Sequence, residues 1–134
     1  MIRSLLYLSS SNLTSEDRGG IEAIVATARA RNAALDVTGA LLSTETRFAQ
    51  VLEGPADSVE AVLASISRDP RHQDVRVVID QDLPERRFGR WAMAYSGPSL
   101  LVDRKLKRLL ARPAKGPELG EALVAFMQDQ LGQA

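Results

Sequence analysis

The chain has 134 residues, 45% hydrophobic and 25% charged, which is enough for one domain with a buried core and no covalent staple. Its 17 Lys and Arg balance its 17 Asp and Glu, so no basic surplus points to nucleic acid or to an anionic membrane surface. With no cysteine and one histidine, His72, a disulfide framework, a thiolate nucleophile and a multi-histidine metal centre are all excluded.

"IRSLLYLSSS" predicts a first strand, with Leu5 and Tyr7 on one face and Leu6 and Leu8 on the other. Both faces are apolar, so both sides of the sheet should be covered. In the polar "SNLTSEDRGG", Ser15 and the acidic residues after it start a helix. Ile21, Ile24, Val25 and Ala28 then repeat at helical spacing, to an end near Asn32. "VTGALLS" and "RFAQVLE" are strands on either side of "TET", a hairpin. Pro55 and Asp57 open a second helix, striped by Val59, Val62, Leu63 and Ile66. "DVRVVID" predicts a fourth strand, "LPERR" a connection and "FGRWAMAY" a fifth strand. Leu106, Leu109 and Leu110 mark a short basic helix, which "RPAKGP" breaks. Leu119, Ala122, Leu123, Phe126 and Met127 form a last amphipathic helix. No apolar run approaches the ~20 residues of a membrane span, and a cytoplasmic protein is expected.

The order β-α-β-β-α-β-β plus two helices predicts an α+β, ferredoxin-like fold. Its first two helices share one sheet face, and the C-terminal pair covers the other. The expected division is a domain over residues 1–95 and a helical extension over 96–134 packed on the sheet.

Phe48, Gln50 and Leu52 share one face of the third strand, while Ala49 and Val51 point the other way. A buried amide between Phe and Leu must find partners or cost about 1–3 kcal/mol. Each polar residue has an ordinary reading. Tyr7 is a core aromatic, Asn32 a C-terminal cap, and Trp91 and Met93 are packing. Arg68, Asp69, Arg71 and His72 read as a solvated loop at a helix C-terminus, where positive charge is welcome. Taken together they make a site. The first and third strands of such a sheet are adjacent, which places Tyr7 beside Gln50 beneath the two helices. Asn32 stands at the end of one helix, and the Arg-Asp-x-Arg-His loop at the end of the other. The slot between them has walls of Ile24, Ala28, Leu41, Phe48, Val62 and Ile66, an amide and a phenol at its floor, and cations at its rim. That suits a flat polar heterocycle with an anionic tail.

"LLYLSS", "ARNAALDVTGALL", "RFAQVLEGP", "ISRDPRHQDV" and "ERRFGRWAMAY" resemble, in order and over about residues 1–95, the successive motifs of the BLUF family, blue-light sensors that bind FAD. The C-terminal helices resemble those of its short stand-alone members. The resemblance implies noncovalent FAD between the two helices, with FMN or riboflavin able to substitute. It makes Tyr7, Gln50, Trp91 and Met93 the photochemical residues, with Gln50 bridging the Tyr7 hydroxyl and the flavin. By the same resemblance Asn32 meets the pyrimidine edge, and Arg31 lies along the ring edge or towards the phosphates. Arg68, Asp69, Arg71 and His72 meet the ribityl and phosphate end, while Ile24, Ala28, Leu41 and Phe48 wall the ring. Light draws an electron and a proton from Tyr7, and the Gln50 amide relays the proton and returns rearranged. Met93 and Trp91 pass the change to the sheet.

The implied protein is a sensor and not an enzyme, a homo-oligomer (a dimer) that regulates a downstream protein without binding nucleic acid directly. No cyclase, phosphodiesterase or DNA-binding domain is read after Tyr95. Asp36, Ser43 and Ala28 depart from common family usage. The competing readings are a light-insensitive ligand-binding or dimerisation module and an acylphosphatase-type hydrolase. The second needs a glycine-rich anion loop after the first strand, which "LYLSSSNLTSEDR" lacks.

Overall fold

A computed structural model of the chain describes residues 1–11, 18–44, 47–70, 72–89, 94–96, 100–111 and 117–131. Its elements are β1 (Ile2–Ser11), α1 (Arg18–Ala34), β2 (Thr38–Ser43), β3 (Arg47–Gly54), α2 (Ala56–Arg68), β4 (His72–Leu83), β5 (Ala94–Ser96), α3 (Leu100–Leu110) and α4 (Pro117–Leu131). They build one sheet in the order β4-β1-β3-β2-β5, in which every pair is antiparallel except β2 with β5. This is the expected α+β, ferredoxin-like order with a fifth strand added in parallel at one edge.

The two apolar faces of β1 are both covered. Leu5 and Tyr7 pack with Leu52 under Val59, Val62 and Ile66 of α2. Leu6 and Leu8 join Ala49 and Val51 in a continuous core with Leu106 and Leu109 of α3 and Leu119, Leu123, Phe126 and Met127 of α4. Period-2 alternation in the central strands therefore sorts side chains into two layers. Gly120 lets α4 lie directly on the edge strand, since a Cβ there would sit 2.0 Å from Ile79 Cγ1.

Several boundaries differ from the sequence reading. Ser15 lies outside the described residues, and α1 continues two residues past Asn32. β4 is longer than "DVRVVID" and begins at His72. It carries two register shifts against β1, and Asp74 adopts φ 53° at the second, where an extra residue is accommodated. Phe88 is not part of the fifth strand. It is buried ahead of β5 in the α3/α4 layer, because an apolar residue in a connection can fill a core as well as one in a strand. Among the described residues, no helix is long and apolar enough to cross a membrane.

Candidate functional site

The register lays out the floor of the α1/α2 face. Tyr7 stands opposite Gln50, and Gln50 opposite Leu41, in one row across β1, β3 and β2. The next row holds Ser9, Phe48 and Ser43. The apolar core on this face is divided. Tyr7 belongs to the α2 cluster, whereas Leu41 and Phe48 pack with Ile24, Val25 and Ala28 of α1. Gln50 lies on the border between the two clusters. The six expected wall residues are thus shared between the helices, with Ile24, Ala28, Leu41 and Phe48 on one side and Val62 and Ile66 on the other.

Gln50 is 3% exposed and Tyr7 fully buried, and the Tyr7 hydroxyl donates to Gln50 Oε1. Burial pushes the Tyr7 phenol well above its ordinary value; the Arg31 cation opposes that shift, and the Asp69 carboxylate adds to it. The phenol is therefore a neutral donor, with Gln50 Oε1 as its acceptor. Its field comes from the C-terminal ends of both helices.

Asn32 sits in the last turn of α1 and is fully buried; Arg31 Nε donates to its Oδ1 at 3.3 Å. Its backbone carbonyl accepts the N–H groups of Leu35 at 3.2 Å and Val37 at 2.8 Å, closing the turn into β2. The left-handed residue of that turn is Asp36, at φ 58°, and not Asn32. A position that requires αL explains why an aspartate is tolerated there, since its short polar side chain is among the few that visit this region.

At the end of α2, Asp69 turns into extended backbone. Its N–H donates to the Ile66 carbonyl at 3.0 Å, and its carbonyl accepts the His72 N–H at 3.1 Å. Arg68 is exposed and Asp69 half-buried, but His72 is not in a solvated loop. Its ring is buried at the start of β4, tilted against Phe48 at 4.6 Å and edge-on to Tyr7 at 6.2 Å, with Nδ1 3.1 Å from Ser9 Oγ. Paired to β1 at Ser11, it is drawn into the sheet by the ladder. Arg71, Trp91 and Met93 lie outside the described residues.

Ser43 shares this face, opposite Phe48. It is fully buried, and its Oγ has no hydrogen-bond partner among the described residues. A closed core would lose about 1–3 kcal/mol on such a hydroxyl. A split core, a phenol–amide pair on the dividing line and an orphaned hydroxyl nearby describe a layer built around a planar, polar guest. The residues present fit a flavin.

The sequence reading missed Glu53, which is fully buried on the opposite face. Its carboxylate accepts the Ser4 hydroxyl at 2.7 Å and the backbone N–H groups of Arg87 at 2.6 Å and Phe88 at 2.8 Å. The signal was present, because Glu53 has the parity of the inward-facing Ala49 and Val51. Among the described residues, no cluster of His, Cys, Asp and Glu could hold a metal ion.

Residues 2–94 match the family described as BLUF, sensors of blue-light using FAD. The chain is 38% identical over 93 residues to the blue light- and temperature-regulated antirepressor BluF of Escherichia coli K12, a match covering 69% of this chain and 23% of that protein. It is 36% identical over 116 residues to photoactivated adenylate cyclase subunit beta of Euglena gracilis, covering 85% of this chain and 13% of that one. The chain therefore spans less than a quarter of either curated relative. It superposes on the dark-state structure of BlrB, a BLUF protein, with a TM-score of 0.78 and 32% identity, covering 93% of this chain and 96% of that one. Motifs, sheet order and a divided, polar-floored helix layer agree with these matches: the chain belongs to the BLUF family, sensors of blue light using FAD.

Proposed function

We propose that the light switch of this BLUF chain is the Tyr7–Gln50 pair, and that its output is regulation of another protein and not catalysis. The observation that carries this reading is the buried hydrogen bond from the Tyr7 hydroxyl to Gln50 Oε1, on the line that separates the α1 and α2 cores. Asn32 is assigned to the pyrimidine edge of the ring, where an amide offers both a donor and an acceptor. Arg31, Arg68, Asp69, Arg71 and His72 are assigned to the ring edge, ribityl and phosphate end, where guanidinium groups suit phosphate. Ile24, Ala28, Leu41 and Phe48 pack the ring, and FMN or riboflavin can take the place of FAD.

The bound flavin supplies a strong demand for an electron when it absorbs blue light. Tyr7 answers that demand, and its hydroxyl proton has Gln50 Oε1 as acceptor. The amide relays the proton and is left rearranged, by rotation or tautomerisation, with its donor and acceptor ends differently placed; electron and proton both return to Tyr7, so no net oxidation remains. Burial keeps water away from this exchange, which needs no covalent adduct, consistent with a chain without cysteine. Met93 and Trp91 are assigned the task of reading the state of the amide.

An antirepressor and a cyclase subunit among the relatives support a role in controlling a partner's activity. We further assign residues 1–95 to the sensor and 96–134 to a helical extension, with a homodimer in the cytoplasm as the working form. The protein purified in darkness should be yellow, with an oxidised-flavin spectrum that moves slightly to the red under blue light and recovers in the dark. A colourless protein that takes up no added FAD would end this reading.

A further inference from the structure

We propose that Arg86 and Arg87 form a strap around the end of the sheet, coupling the corner behind Asn32 on the α1/α2 face to α4 on the opposite face. The inference rests on the reading of the α1/α2 slot as the flavin site. Arg86 grips the corner. Its guanidinium donates to Thr38 Oγ1 at 2.9 Å, to the Glu53 carbonyl at 3.1 Å and to the Asp36 carbonyl at 3.0 Å, and it pairs with the Asp36 carboxylate at 3.2 Å. Asp36 is the left-handed residue of the turn closed by Asn32, so Arg86 holds the backbone that fixes Asn32. The corner also rests on the end of β3, since a Cβ on Gly54 would lie 2.7 Å from the Asp36 carbonyl oxygen.

Arg87 faces the other way. Its backbone N–H and that of Phe88 are clamped by the buried Glu53 carboxylate, three residues after Gln50 on the same strand. Charge-assisted bonds of this length are the strong ones, so residues 87–88 move only with β3. The guanidinium reaches α4, 3.3 Å from the Glu121 carboxylate. Its Nε is buried, has no hydrogen-bond partner among the described residues and lies 3.7 Å from Glu53 Oε2. A shift of well under 1 Å would close that contact. Arg87 therefore bridges two carboxylates at once, one fixed to the Gln50 strand through Nε and one on α4 through a terminal nitrogen. The stiff end of the strap is Glu53, and the soft end is the half-exposed Glu121. Release of the Glu121 end while the Glu53 end holds gives the two arrangements that coupling between two sites requires.

The test is hydrogen exchange of the α4 amides in the FAD-loaded protein, dark against light, with the red shift recorded on the same samples. Glu121→Gln cuts the solvent end, and Arg86→Met cuts the corner end. Each should keep the red shift while reducing the light-to-dark ratio of α4 exchange, by about two- to fivefold for Glu121→Gln, as befits loss of one partly exposed ion pair, and by at least as much for Arg86→Met. The double variant should lose no more than the larger single loss, because both cuts sever one connection. Parental ratios in both single variants, or additive losses in the double, would overturn the strap, as would a parent that shifts to the red with unchanged α4 exchange. A parent with no red shift at all would overturn the flavin reading on which it rests.

Discussion

Leu6 and Tyr7 are neighbours in β1 and equally buried, yet they look onto layers built on different plans. Beneath α3 and α4, one apolar cluster runs without interruption from Leu6 through Phe88 to Met127. Beneath α1 and α2 the apolar contacts separate into two clusters, with the Tyr7–Gln50 pair at the division and, beyond Phe48, a Ser43 hydroxyl that has no hydrogen-bond partner among the described residues. The first plan maximises burial, at roughly 25 cal/mol for each Å² of apolar surface removed from water. The second leaves part of that gain unmade and fills the layer with groups that need a guest. The continuous core lies on one face, and the proposed switch on the other.

That contrast breaks most sharply at Phe88. Phe88→Ala should cost about 3–5 kcal/mol in urea unfolding, with the red shift preserved in whatever protein folds. A cost below 1 kcal/mol would mean that the α3/α4 layer is not the store of stability. The reverse holds for Asn32, whose loss should be felt in ligand retention. Asn32→Ala should weaken FAD binding by about 1–3 kcal/mol, roughly 5- to 150-fold, measured by flavin fluorescence on dilution. A smaller change would remove Asn32 from the binding set.

A pH dependence sharpens the comparison further. The Tyr7 phenol is raised in the fold, so the unfolded chain loses that proton first. Its stabilising contribution is complete below the ordinary tyrosine value near 10 and is lost as pH rises towards the raised folded value. Between about pH 10 and 11 the parent should therefore lose up to ~1.4 kcal/mol per pH unit that Tyr7→Phe retains. Parallel urea titrations of the two proteins check this, and equal slopes would refute it. The smallest effect belongs to neither plan. Arg3 pairs with Asp80 and Glu60 at the protein surface and holds the Asp80 carboxyl below its ordinary value. Asp80→Asn should change stability by less than about 1 kcal/mol, because exposed pairs are screened.

The two plans were not equally legible in the sequence. Both faces of β1 could be read from strict alternation, as could the pairing of Tyr7 with Gln50 from the ferredoxin-like order, because a period of two leaves no choice of face. Phe88 could not, since an apolar run before a strand and the strand itself carry the same signal. The burial of Glu53 and His72 is hidden for a related reason. Their types suggest solvent, but their partners lie far away in the chain, at Arg87 and Phe88 for one and at Ser9 and Phe48 for the other. "LPERR" looked like a bare connection for the same reason. The ordinary reading of Asn32 is a C-terminal cap, whereas the left-handed residue of the turn is Asp36, four residues on. Local periodicity reports which face a residue takes, and long-range hydrogen bonds report what it does there.

If the Tyr7–Gln50 bond is the switch, Tyr7→Phe must disable it. The substitution removes one hydroxyl and leaves the ring in its place among Leu5, Val62 and Ile66. The variant should stay yellow and bind FAD, and continuous blue light should leave its absorption spectrum unmoved. A Tyr7→Phe protein that shifts to the red and recovers as the parent does would show that the proton moves from somewhere else.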